Sequence, residues 1–82
     1  MMKINLKDGL SQKANETIAH RKLENAKSVS MQKTVGSHET SISIYVNFPG
    51  GAGFAIGYYL DELYTALKDF LILLKIVEGK ND

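Results

Sequence analysis

Cysteine is absent from this 82-residue chain, and disulfides, thiolate zinc sites and thiol catalysis are excluded with it. The same absence fits a reducing compartment. Histidine is scarce: His20 and His38 lie far apart in sequence, with no third His or Cys to complete a metal set. Proline occurs once, at Pro49. Residues 1–10, MMKINLKDGL, carry charges where a signal peptide needs its apolar region, and no small-residue cleavage site follows, so the expected location is the cytoplasm. Charge is missing from Thr40 to Leu60, a window about as long as a membrane-spanning helix. That window contains Ser41, Ser43, Asn47, Pro49 and four glycines, and its first half alternates like a strand, which argues against insertion. Gly53 and Gly57 form a GxxxG, a motif with meaning only inside an established membrane helix.

The length allows a single domain, residues 1–82, with a thin stability margin. Domains of this size often gain stability from disulfides, a metal or a partner subunit, and the first of these is ruled out here. The net charge of +1 is unevenly spread. Residues 1–40 hold seven Lys/Arg against four acids, whereas residues 41–82 hold three against five. Arms that bind nucleic acid are usually more densely basic than the first half is.

Ile4 and Leu6 alternate with polar neighbours, so residues 1–9 read as a short strand or an extended arm, ending at the turn signal Asp8-Gly9. From Leu10 to about Lys27 the composition favours helix. One face collects Lys13, Glu16, His20, Glu24 and Lys27; the other carries Leu10, Ala14, Ile18, Leu23 and Ala26, diluted by Asn15, Lys22 and Asn25. This weak amphipathicity predicts a helix that docks lightly or orders on a partner. Val29, Met31 and Val35 alternate with polar residues, and Gly36-Ser37-His38-Glu39 supplies a turn. The clearest strand follows, with Ile42, Ile44, Val46 and Phe48 on one face and Ser41, Ser43, Tyr45 and Asn47 on the other. Pro49 ends it, and Phe54, Ile56 and Tyr58 then alternate with Ala55, Gly57 and Tyr59 as a third strand.

The last element is a helix in which Leu60, Leu63, Leu67, Phe70, Leu74 and Val77 recur at spacings of three and four, widened by Tyr64 and Leu71. Asp61-Glu62 suit its positive N-terminal end and Gly79 its stop. The stripe is expected to pack on the sheet, with Asp61, Glu62, Thr65 and Asp69 polar behind it. Ile72 and Ile76 place apolar surface on that back face, joined to the stripe by Leu73. A helix apolar on both sides needs a second cover, so Phe70, Ile72, Leu73 and Ile76 are the expected homodimer interface.

The expected fold class is therefore α+β. A weak N-terminal helix precedes a three-stranded antiparallel sheet (about 29–35, 41–48 and 54–58), and a long amphipathic helix (about 60–78) packs on one sheet face. This order resembles the topology of the double-stranded-RNA-binding domain over residues 10–78. The resemblance implies a lysine cluster at the start of the final helix to grip phosphates. Tyr58-Tyr59-Leu60-Asp61-Glu62 stands there with the opposite charge, so the chain is not assigned to that family.

Chemistry is thinly supplied. Gly50-Gly51-Ala52-Gly53 follows a strand, but neither a Gly-Lys-Ser/Thr ending nor GxGxxG spacing is present. His20 lies one turn from Glu16 and Glu24 on a face shared with Lys13 and Lys27, the pattern of an exposed salt-bridge ladder. No catalytic residue, metal ligand or cofactor site is expected. Tyr45, Tyr58 and Tyr59 are the candidate partner-binding residues, because exposed tyrosine is typical of protein interfaces. The first expectation is a small, non-enzymatic homodimer that occludes or bridges a second protein, with a size common among phage and mobile-element accessory proteins. The alternative is nucleic-acid binding through Lys13, Arg21, Lys22, Lys27 and Lys33. Peripheral membrane contact through Phe54, Ile56 and the tyrosines is a weaker third.

Overall fold

The computed structural model describes residues 9–19 and 21–79. The arm expected over residues 1–9 falls, except for Gly9, outside the described residues, and so does His20.

Period-two alternation in the middle of the chain builds the sheet. Strand β1 (Ser28–Val35) pairs antiparallel with β2 (Thr40–Asn47), which pairs antiparallel with β3 (Gly53–Tyr59), giving the order β1-β2-β3. Val29 stands opposite Val46, Met31 opposite Ile44 and Ile44 opposite Ile56. Opposed residues share a face, so Ile42, Ile44, Val46, Ile56 and Tyr58 are buried together, as the alternation predicts. The β1–β2 hairpin closes on the Gly36 N–H donating to the Glu39 carbonyl at 2.8 Å.

Pro49 and two glycines turn the chain between β2 and β3. Gly50 and Gly51 both have φ of 86°, a region that only glycine enters cheaply, and the Phe48 N–H donates to the Ala52 carbonyl across the turn. Gly53 is required for a different reason: a Cβ there would lie 2.7 Å from the Val46 carbonyl oxygen. Gly53→Ala is expected to lower stability by about 1–2 kcal/mol through this overpacking, read as a shift in thermal melting. An unchanged melting temperature would mean that the strand end yields freely.

The long helix, α2 (Leu63–Gly79), is entered through a single 3-10 turn, Leu60–Glu62. It covers the apolar face of the sheet, lying closest to β1. Its docking face differs from the expected one. The buried residues are Ala66, Asp69, Leu73 and Val77, while Leu60, Leu63, Tyr64, Leu67 and Leu71 are exposed. At a hundred degrees per residue the helix is rotated by roughly 80° from the orientation its leucines suggest. Asp69, read from sequence as a back-face residue, is fully buried. Small Ala66 lets the helix approach the sheet, and Asp69 finds partners inside that fix the rotation.

The expected dimer interface is corrected by the same rotation. Leu73 lies in the core, and Phe70, Ile72 and Ile76 are half-buried against it. Ile72 is met from within the chain. The segment entering helix α1 (Gln12–Ile18) passes so close that a Cβ on Gly9 would sit 3.0 Å from Ile72 Cδ1.

Helix α1 is shorter than the composition predicts. It stops at Ile18, and a 3-10 turn at Leu23–Asn25 follows. The Thr17 hydroxyl bonds back to the Lys13 carbonyl at 2.9 Å, a contact that competes with helix continuation. The apolar side is nevertheless correct: Leu10, Ala14, Ile18, Leu23 and Ala26 are all buried. The segment is docked into the core, not resting lightly on it.

Candidate interaction surface

Asp69 is the only buried charged side chain among the described residues. Its Oδ1 accepts the Ser11 N–H at 2.9 Å, and its Oδ2 accepts the Ser11 hydroxyl at 2.5 Å and the Tyr58 hydroxyl at 2.8 Å. Ser11 is also the N-cap of α1, accepting the Ala14 N–H at 3.3 Å. One carboxylate therefore joins the start of α1, the end of β3 and the middle of α2. Burial, then the Asp69 hydrogen bond and charge, push the Tyr58 hydroxyl far above the ordinary tyrosine range. The cluster ties three elements together through one buried carboxylate, with Ser11 on its partly open side. Among the described residues no group of three or more His, Cys, Asp or Glu is placed to hold a metal ion.

Beside this tie, Lys13 closes the outer edge of β3. Its ammonium donates to the Gly57 carbonyl and to Glu62 Oε1, both at 2.9 Å, and lies 5.0 Å from the Tyr58 ring centre. Glu62 also accepts the Tyr59 N–H at 3.0 Å. That N–H first, and the Lys13 ammonium second, hold the Glu62 carboxyl below its ordinary range. Farther along the same edge, the Arg21 guanidinium stacks 4.6 Å from the Phe54 ring centre.

These placements bear on each candidate residue. Of the basic set Lys13, Arg21, Lys22, Lys27 and Lys33, the first two are engaged within the chain, and Lys33 stands across the sheet on β1. Lys22 and Lys27 are exposed. Phe54 is half-buried and Ile56 buried, so the glycine corner presents few apolar side chains to a bilayer. Among the described residues no helix is long and apolar enough to cross a membrane. Tyr58 is corrected from exposed to buried, with its hydroxyl consumed by Asp69. Tyr45 and Tyr59 lie on the opposite, open face of the sheet.

That open face is uncharged. The register puts Ser30, Gln32 and Thr34 of β1 beside Ser41, Ser43, Tyr45 and Asn47 of β2, and beside Ala55, Gly57 and Tyr59 of β3. On the helix side, the apolar surface left uncovered is the stripe Leu60, Leu63, Tyr64, Leu67 and Leu71. Tyr64 is 86 % exposed and Leu71 61 %, values more usual for charged side chains. A shallow hollow lined by Met31, Gln32, Lys33, Ile42, Leu60 and Leu63 continues the stripe onto β1. Sequence reasoning found these leucines but turned them inward; the signal it lacked was a buried partner for Asp69. No family model, curated protein or solved structure matches the chain.

Proposed function

We propose that this chain is a small, non-enzymatic protein-binding protein whose working unit is a homodimer. The observation that carries the reading is the contiguous exposed stripe Leu60, Leu63, Tyr64, Leu67 and Leu71, five large apolar side chains on a helix of a very small domain. Burying it against another molecule supplies the apolar area that a domain of this size lacks. The uncharged open face, with Tyr45 and Tyr59, remains for a second protein, whose occlusion is the function we assign.

Light scattering at tens of micromolar should give twice the 9.1 kDa chain mass. Tyr64→Glu combined with Leu67→Glu puts two charges on the stripe without touching the core. It should weaken self-association about 100-fold or more, leaving the monomer's circular dichroism unchanged. A parent protein monomeric at that concentration, or a dimer indifferent to the double substitution, overturns the reading.

A further inference from the structure

The two edges of the sheet are finished differently. On β3 the outward Gly57 carbonyl is capped by Lys13, and Arg21 lies over Phe54. On β1 no such cover is present among the described residues. The Gly36 N–H bonds Glu39 in register with the ladder, so the even residues of β1 face β2. The backbone N–H and C=O groups of Val29, Met31, Lys33 and Val35 consequently point outward. An eight-residue strand with an open edge is a pairing template. It lies next to the exposed stripe of α2, joined to it by the hollow between Met31, Lys33, Leu60 and Leu63.

We infer that the occupant of this edge and stripe is a second copy of the chain. Two β1 strands pair antiparallel about a two-fold axis through Gln32, making one continuous six-stranded sheet with the α2 helices side by side. This inference rests on the homodimer reading above and adds its geometry. A copy supplies both missing partners at once, a strand for the edge and an apolar helix start for the Leu60–Leu63 end of the stripe. The spacing fits as well. Strands lie about 4.8 Å apart, so a helix seated over the β1–β2 gap stands about 5 Å from the axis, and its copy about 10 Å away, the packing distance of two helices.

The register follows from side chains. An axis through Lys33 would set two lysines directly opposite each other. An axis through Met31 would face Lys33 with buried Val29. With Gln32 on the axis, Val35, 72 % exposed in the single chain, meets the partner copy's Val29, an apolar β-branched pair. The helices then run antiparallel with their N-terminal ends together, because Leu60 and Leu63 sit against the middle of β1.

The absence of cysteine makes a direct test available. Even-numbered residues form the non-hydrogen-bonded pairs of the new ladder, where Cα atoms approach to about 4.5 Å, within reach of a disulfide. Gln32→Cys alone should oxidise to a covalent dimer at least about fivefold more readily than Ala55→Cys, an exposed control on β3. Ser30→Cys and Thr34→Cys should cross-link poorly alone and efficiently when mixed, because residues 30 and 34 are opposed. Circular dichroism on each reduced variant confirms that it is folded. If the parent is a dimer and Gln32→Cys cross-links no better than the control, the dimer uses another surface and this inference falls alone. If the parent is a monomer, the homodimer reading falls with it.

Discussion

Asp69→Ala is expected to cost about 3 kcal/mol of stability, the largest effect of any single polar substitution in the chain. The carboxylate accepts from the Ser11 N–H, the Ser11 hydroxyl and the Tyr58 hydroxyl, and all three lose their acceptor when it is removed. A buried donor left unsatisfied costs about 1–3 kcal/mol. Ser11 is only partly buried, so water recovers some of its share, and the Tyr58 hydroxyl carries the rest. For a domain of this size each kcal/mol corresponds to roughly 4–8 °C in melting temperature, so the variant should melt about 15 °C lower. The penalty comes from orphaned partners, not from the lost charge, so removing a partner as well should recover part of it. Asp69→Ala with Tyr58→Phe should therefore lose clearly less than the sum of the single substitutions. A variant that melts with the parent would show that α1, β3 and α2 are not held by this carboxylate.

The same residue marks where the sequence stops being readable. Residues 40–47 alternate so regularly that the central strand and its buried face follow from local pattern. Period two leaves a strand only two orientations, and burial selects one. Helix α2 offers no such choice, because Leu60, Leu63, Leu67, Phe70, Leu71, Ile72, Leu73, Leu74, Ile76 and Val77 surround most of its circumference. Spacing of three and four then identifies a helix without identifying its inner face. The face is chosen by Asp69 meeting Ser11, 58 positions earlier in the chain, and no local pattern encodes that meeting. The candidate site is a consequence of the choice. Once Asp69 turns inward, the leucines that read as core are carried to the surface beside β1. Tyr58 and Tyr59 show the opposite case, since strand alternation alone separates them, one inward and one 62 % exposed. The expectation of an exposed Tyr58 therefore conflicts with the alternation that places it beside Phe54 and Ile56.

Raising the pH above 10 should erode the stability of the parent faster than that of Tyr58→Phe. Burial, with the hydrogen bond and charge of Asp69 behind it, holds the Tyr58 hydroxyl protonated in the folded protein well past the ordinary tyrosine value near 10. In the unfolded chain the same hydroxyl ionises at that ordinary value. Above pH 10 the unfolded state therefore binds fewer protons than the folded state, and stability falls as pH rises. The stabilisation is fully present below pH 10 and declines by about 1.4 kcal/mol per pH unit from there towards the folded-state value. Tyr58→Phe removes the titration and the hydrogen bond together. At pH 8 it should be less stable than the parent by about 1–2 kcal/mol, the worth of a hydroxyl donating to a buried carboxylate. The two lines should then converge and meet roughly one pH unit above 10. Urea titrations of both proteins from pH 8 to about pH 11.5 measure the gap, with the remaining tyrosines and the lysines contributing equally to each. A gap that stays constant across this range would mean that the hydroxyl ionises as easily folded as unfolded, which its bond to a buried carboxylate forbids.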